Sequence, residues 1–497
     1  MPIAVSRSPF LMRFLLLCLA VLMAPFTAAQ SDWQGVERVV AVADLHGDYD
    51  NYITVLRQAG VIDRRGRWDA GKTHLVQLGD VPDRGPDSDK IIRHLMKLEE
   101  QAEKAGGKVH PLIGNHEVMN ITGDLRYVHP GEYEALTSRN SKRLQENYFE
   151  RVAAYLKENK GKDSVDEAFR EQWFKEHPRG FVEHRQHWHP EGQFGAWVAS
   201  HNTVIRINRS LFVHGGIGPD YLKASMEDIN DTVREELRAP DGADRRVVED
   251  EEGPLWYRGL IMGEETDKIA AHVDALMERF DVDRIVMGHT PGFGTVVPRY
   301  HGRVLAADSG IAEYYGGNLA SVLIENGQAF TLQSGERVAI PDEDAGLLAY
   351  YRAIDKISPD INNLKVLIQR LEAAEAAEGS AMLHELRDLQ WTHRVLVIHE
   401  PEASDQLRDV FRDNREAFDE RRLAWFMIAD GELQSNLDGR VGRDLLENIR
   451  IQLNPAVNEV FLVGLDGGVK LRDKTLDLNA LYATIDAMPM RRAEVRR

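Results

Sequence analysis

Residues Leu75 to Ser88 read LVQLGDVPDRGPDS, a short apolar run that stops at Gly79-Asp80 and passes into Asp83-Arg84-Gly85. The run predicts a buried strand and the remainder a polar loop at its carboxyl end. The same design recurs along the chain. Val39 to Ala43 ends in Asp44-Leu45-His46-Gly47-Asp48, and Val109 to Ile113 ends in Gly114-Asn115-His116-Glu117. Ser210 to Val213 runs into His214-Gly215-Gly216, and Arg284 to Met287 into Gly288-His289-Thr290. In open α/β sheets ligands collect beyond the carboxyl ends of strands, where such carboxylates, imidazoles and an arginine could meet an anionic substrate. A lone Gly-Asp or Gly-His at a strand end is more often a turn than a ligand. Five segments sharing one context reverse that expectation.

The intervening stretches have helical periodicity. Tyr49, Tyr52, Ile53 and Leu56 share one face of a predicted helix stopped by Gly60, and Ile91, Ile92, Leu95 and Leu98 mark a second. Strand, helix, strand, helix, strand between Val39 and Ile113 predicts βαβ units in a largely parallel sheet. Gly131 to Glu176 is charged with scattered apolar positions and predicts a helical insertion covering one side of the mouth. His184 to Pro190 (HRQHWHP) and His201 lack the spacing of a closed metal site and read as ordinary loop and surface histidines. Strands are further expected at Asn202–Ile207, at Val304–Ala307 before Asp308-Ser309-Gly310, and at Leu319–Ile324, which closes the sheet.

Pro341 to Ser380 is helical by periodicity, with a solvent-facing AEAAE run. Beyond it, strand signals at Arg394–Ile398, Ala424–Ile428 and Val460–Val463, a hairpin turn at Asp466-Gly467-Gly468 and a helix near Leu478–Met488 predict a second, small α/β domain. The expected organisation is a leader at 1–29, a catalytic domain at 36–335, a helical connector at 336–382 and the small domain at 383–497.

The formal net charge of −19 argues against a nucleic-acid binder. Arg7 and Arg13 precede an apolar run from Phe14 to Phe26 and the small residues Thr27-Ala28-Ala29, the pattern of a secretory signal peptide. Cleavage near Ala29 would deliver a periplasmic or secreted protein with no stable membrane span. The only cysteine, Cys18, lies in that leader. Catalysis by the processed chain therefore rests on oxygen and nitrogen groups.

The strand ends supply Asp44, His46, Asp80, Asn115, His116, His214 and His289, hard oxygen and imidazole donors suited to manganese, iron or zinc. The set is large enough for two divalent ions, which can share a carboxylate, acidify water and clamp a phosphoryl group. Two such ions, two aspartates and a hydroxide leave a core of roughly +1, which attracts a dianion. Arg84 and Arg258 could add forked hydrogen bonds to phosphate oxygens.

Through these ordered motifs residues 39–325 resemble a calcineurin-like metallophosphoesterase of the phosphoprotein phosphatase superfamily. The runs GNHEVMNITGDLRY and PLWYRG resemble the Shewanella-like protein phosphatases most. The resemblance implies an α/β sandwich of central β-sheets flanked by helices, and hydrolysis of phosphate monoesters by metal-activated hydroxide. It implies one metal on Asp44, His46 and Asp80, and a second on Asp80, Asn115, His214 and His289, with Asp80 bridging. His116 would be the general acid oriented by Asp83, and Arg84, Arg258 and Asn115 would bind phosphate. The departures are Ala43, where the family has glycine, and Pro82, where it has an apolar residue; neither removes a ligand.

Phosphorylated protein is the leading substrate, with serine, threonine or tyrosine undecided. A nucleotide or small phosphorylated metabolite is the alternative, with Trp256 and Tyr257 as a conceivable stacking pocket. A scaffold that binds phosphate without turnover is disfavoured, because no inferred ligand is missing. The segment Leu383 to Arg497 resembles an uncharacterised thioredoxin-like domain through RVLVIHEP and VFLVGLDGGVKLR. Lacking cysteine, it is expected to be a docking module for a protein partner.

Overall fold

The computed structural model describes residues 30–495 apart from 161–163, 241–245, 264, 381–382, 400–403, 430–431, 438–440 and 443. The expected leader, with Cys18, lies outside the described residues. The chain forms two compact units, one running through Gln369 and one starting at Arg370.

In chain order the strands of the first unit are β1 (Asp32–Trp33), β2 (Arg38–Val42), β3 (His74–Gln77), β4 (Lys108–Pro111), β5 (Val204–Ile207) and β6 (Ser210–Val213). They continue with β7 (Arg284–Met287), β8 (Val297–Arg299), β9 (Val304–Ala306), β10 (Ala320–Glu325), β11 (Gln328–Gln333) and β12 (Glu336–Ala339). They make two six-stranded sheets, ordered β12-β11-β10-β2-β3-β4 and β1-β5-β6-β7-β9-β8.

The βαβ expectation holds for β2, β3 and β4, which are parallel. The later strands include antiparallel pairs. Asn208, with φ 52°, and Arg209 form a two-residue turn that pairs β5 and β6 antiparallel. β6, β7 and β9 then form a parallel group in the second sheet. β10 returns to the first sheet, antiparallel to β2.

The crossovers follow from capping and periodicity. Helix α1 (Tyr49–Gln58) starts at Asp48, whose carboxylate accepts from the Asn51 amide, and buries Tyr52, Ile53, Val55 and Leu56. Helix α2 (Ser88–Ala105) buries Ile91, Ile92, Leu95 and Leu98 and ends at Gly106 in the left-handed region. These side chains pack with Val40, Leu75 and Val109 of the first sheet, each burial contributing about 1.5–3 kcal/mol. On the second sheet, Leu211, Ile285 and Met287 pack with Ile229, Val273 and Leu276 from the helices Met226–Arg238 and Asp267–Phe280. Residues of the opposite parity, such as Ala41, Val76, Phe212 and Val286, are buried too, so both faces of each sheet are covered.

After the short helix α3 (Asn115–Thr122), the expected helical insertion forms α4 (Pro130–Ala135), α5 (Ser141–Lys160) and α6 (Glu167–Glu176), followed by α7 (Phe181–Trp188). His184 lies on α7 and is completely buried, contrary to its reading as a surface histidine. Helical spacing turns it inward with Trp188, four residues on. Part of the stretch read as a connector lies within the first unit. Glu336–Ala339 is β12, and Tyr350 on the helix Leu347–Ile357 donates to the Val296 carbonyl at 2.8 Å.

In the second unit, β13 (Arg394–His399) and β14 (Leu423–Ala429) are parallel. β15 (Glu432–Ser435) pairs antiparallel with β14, β16 (Glu459–Val463) with β13, and β17 (Val469–Asp473) with β16. The expected turn joins β16 to β17, with Gly467 at φ 78°. Val397 and Phe426 face one apolar cluster, and Leu396 and Met427 the other, as strand alternation requires. Among the described residues no helix is long and apolar enough to cross a membrane.

Candidate active site

The five motif loops meet because the backbone makes close approaches that side chains would block. A Cβ on Gly79 would stand 2.7 Å from the Gly114 nitrogen, and one on Gly114 would stand 2.3 Å from Asp80 Oδ1. His46, Asp80, Asp83, Arg84 and His289 all have positive φ. Left-handed backbone at non-glycine residues costs roughly 1–3 kcal/mol each and clusters where a site over-determines the chain.

Asp80 is central. Its Oδ1 lies 3.3 Å from His214 Nε2, and its Oδ2 lies 4.0 Å from His46 Nε2 and 3.9 Å from His116 Nε2. Donor atoms of Asp80, His214 and His289 lie within 4.8 Å of one another, as do those of His46, Asp80 and His116. Asp44 Oδ2 is 3.9 Å from His46 Nε2, and Asn115 Oδ1 is 2.9 Å from His214 Nε2. The structure thus brings together every donor inferred from the strand ends, all of them buried.

The tautomers are set from outside the cluster. His46 Nδ1 donates to the Pro82 carbonyl at 3.2 Å and His214 Nδ1 to the Leu78 carbonyl at 2.8 Å, because a carbonyl can only accept. Each Nε2 is then the nitrogen aimed inward, as in metal-ligating histidines. Burial pushes His46 down to about 3 and His289 down to about 2, keeping both rings neutral. Burial, then the carboxylate of Asp308, pushes Asp44 well above the usual range. His289 Nε2 and Asp308 Oδ2 are buried with no hydrogen-bond partner among the described residues. Burial lowers His214, but Asp80 and Asp44 outweigh it and raise His214 to about 9. A divalent cation between Asp80 and His214 would take the place of that proton. Crowded buried carboxylates, neutral imidazoles and unpartnered inward atoms fit divalent metal ions.

Beside this cluster, His116 Nδ1 donates to Asp83 Oδ2 at 2.5 Å, and Asn120 Nδ2 donates to Asp83 Oδ1 at 2.9 Å. Burial opposes protonation of His116, yet Asp80 and Asp83 outweigh it and the net shift is upward. The guanidinium of Arg84 stacks 3.8 Å from the Tyr127 ring centroid and 4.9 Å from that of Tyr314, and Nη1 donates to the Tyr314 hydroxyl at 3.3 Å. Arg258 Nη1 donates to the His289 carbonyl at 2.8 Å and to Thr290 Oγ1 at 3.0 Å. Tyr257 is buried in the core of the second sheet, which removes it from the stacking pocket considered above.

Sequence reasoning missed several contributors. Asp308 stands two residues past the end of β9 at Ala306, with the same design as the other loops, and was not counted among the donors. Glu117, fourth residue of its motif, accepts the amides of Gly114, Asp80 and Val81 at 2.8, 3.0 and 2.8 Å, tying the β3 and β4 loops together. Asn120 and Tyr127 lie in the quoted run GNHEVMNITGDLRY but were given no role, and Tyr314 and Glu132 had no local signal.

Two sheets flanked by helices, with an acid and imidazole cluster at their strand ends, define a metallophosphoesterase. The sequence profile of the calcineurin-like phosphoesterases matches residues 37–293, and the chain belongs to that family. Residues 385–494 match DUF4174, a domain of unknown function. An uncharacterized protein of Schizosaccharomyces pombe is 35% identical over 299 residues, 58% of this chain and 76% of the relative. Shewanella-like protein phosphatase 2 of Arabidopsis thaliana is 33% identical over 272 residues, 52% of this chain and 68% of the relative. The crystal structure of a cold-active protein-tyrosine phosphatase from a psychrophilic Shewanella species superposes with a TM-score of 0.50 at 29% identity, covering 63% of this chain and 82% of that one.

Proposed function

We propose that the protein is a dinuclear metal-dependent phosphatase that hydrolyses phosphate monoesters on protein side chains. The observation that carries this reading is Asp80, whose two oxygens face separate donor groups while the His116–Asp83 pair stands beside it. One ion would be held by Asp44, His46 and Asp80, and the other by Asp80, Asn115, His214 and His289. Manganese is our first assignment, with iron or zinc as the alternatives. When bound, two such ions supply a more acidic water and neutralise charge on the phosphoryl oxygens.

The remaining work falls to the chain's own side chains. Arg84 and Arg258 bind the phosphate oxygens, with Tyr127 and Tyr314 holding the Arg84 plane. His116 shares the inner cluster with His46 and Asp80, but its Nδ1 is committed to Asp83, and we assign it as acid rather than ligand. As the P–O ester bond breaks, its Nε2–H passes to the leaving oxygen, and Asp83 stabilises the imidazolium beforehand. Water supplies the oxygen that joins phosphorus.

Protein substrates are favoured by the names of the relatives. Small phosphorylated metabolites and nucleotides are the second reading, weakened by burial of Tyr257. The leader at 1–29 is the basis for proposing export to the periplasm, and the cysteine-free second unit is proposed to dock a protein partner. Purified protein loaded with manganese is expected to release phosphate from phosphotyrosine or phosphoserine peptides faster than from nucleotides. The reverse order supports the second reading, and failure on every aryl phosphate refutes a phosphatase.

A further inference from the structure

The helical insertion reaches the active site from behind. Glu132, on α4, is buried, and its Oε1 accepts the backbone amide of Asp83 at 2.8 Å. That amide belongs to the first of two consecutive non-glycine residues in the left-handed region, Asp83 at φ 74° and Arg84 at φ 66°. The conformation is costly and needs outside support. The Arg84 amide is held separately, by the Tyr127 carbonyl at 3.0 Å. α4 also packs tightly on the same loop, since a Cβ on Gly131 would stand 2.5 Å from Pro86 Cβ.

Two consecutive residues of α7 face Glu132 and the end of α3. His184 Nε2 lies 3.8 Å from Glu132 Oε2, and neither of its ring nitrogens has a hydrogen-bond partner among the described residues. Arg185 donates to the carbonyls of Asn120 and Ile121 at the end of α3, the helix that carries His116. Asn120 in turn holds Asp83 Oδ1. α4 therefore touches the Asp83 loop through Glu132, and α7 touches the His116 helix through Arg185.

We propose that Glu132 is a positioning residue for the general acid, holding the Asp83 loop so that its carboxylate meets His116; this rests on the reading of His116 as the acid. Burial, and then the Asp83 carboxylate, push the Glu132 carboxyl above the usual range. What the loop needs from it is geometric, an acceptor for the Asp83 amide at 2.8 Å. Glutamine reproduces the acceptor and the volume, and alanine does not.

The test compares phenyl phosphate, whose leaving group is strongly basic and needs a proton, with 4-nitrophenyl phosphate, whose leaving group does not. The full-length, manganese-loaded protein is used, with His116→Asn as reference. His116→Asn is expected to lose about 10²–10⁴-fold on phenyl phosphate and far less on 4-nitrophenyl phosphate. Glu132→Ala is expected to show the same skew, losing about tenfold on phenyl phosphate as the lost hydrogen bond loosens the pair, with unchanged metal content. Glu132→Gln is expected to restore most of it. If His116→Asn is skewed and Glu132→Ala loses rate equally on both substrates, or on neither, Glu132 does not position the acid. If His116→Asn shows no skew, the assignment of the acid fails and this inference falls with it. Should Glu132→Ala fail to fold by thermal melting, Glu132→Asp, whose shorter arm cannot reach the amide, takes its place with the same outcomes.

Discussion

The backbone N–H of His289 donates to both carboxylate oxygens of Asp44, at 3.0 and 3.1 Å, although 245 residues separate them. Asp44 follows β2 of the first sheet and His289 follows β7 of the second, so this contact joins the two sheets at the end that carries the acid and imidazole cluster. The site is therefore a junction, and its residues should be sensitive to substitution in distinguishable ways.

Asp80 and His116 separate metal binding from turnover. Asp80→Asn removes a charge shared by both donor groups, and metal and activity are expected to be lost together. His116→Asn is expected to keep its metal and lose turnover by about 10²–10⁴-fold. Metal content by elemental analysis alongside kcat distinguishes the two, and retained metal in Asp80→Asn contradicts a bridging carboxylate.

Asp308 tests the donor set beyond the motifs. Its buried Oδ2 has no partner among the described residues, and burial raises its carboxyl to about 6. Asp308→Asn is expected to weaken metal retention by about 10–100-fold, read from activity during chelator titration.

Arg84→Lys keeps the charge and removes both the fork and the stack between Tyr127 and Tyr314. Loss of a charge-assisted contact of about 1.5–3 kcal/mol corresponds to a drop in kcat/KM of about 10–100-fold. Steady-state kinetics on one peptide substrate checks it, and wild-type kcat/KM in the variant excludes bidentate phosphate binding by Arg84.

Gly79→Ala should damage fold and site together. Gly79 has φ 96°, and the added Cβ meets the Gly114 nitrogen and His214 Nδ1 at 2.7 and 2.8 Å. A loss above about 1 kcal/mol in urea unfolding is expected.

Acid should weaken the fold through buried histidines. Burial pushes His184 down to about 3 and His110 well below its ordinary value. Below about pH 6.5 the unfolded chain takes up protons that the folded chain refuses, so stability is full above that pH and falls as pH drops toward the folded values. The loss is about 1.4 kcal/mol per pH unit for each such group. His184→Phe, which suits an apolar site beside Trp188, is expected to flatten the dependence measured by urea unfolding between pH 7 and 5. An unchanged slope means that His184 protonates freely in the folded protein.

Much of the donor set was legible because β-strands announce their own ends. An apolar run that stops at Asp44, Asp80, Asn115, His214 or His289 states both the element and the polar residue that leaves it. Pro82 needed the structure: its carbonyl accepts from His46 and orients that ring. His184 was misread because a short helix in a polar stretch gives little periodicity, and burial of one histidine depends on what packs over it.

The sequence by itself determined the strand ends, the α1 and α2 faces, the lack of any cysteine beyond Cys18 and the candidate inward donors, since these follow from composition, local polarity and spacing. Only the tertiary structure decided that the strands divide into two sheets, that Asp44 meets His289, that Asp308 joins the cluster and that Glu132 reaches Asp83. Those are pairings between residues far apart in the chain. No local pattern encodes them, because they depend on close backbone approach and on which buried polar groups are left to satisfy one another.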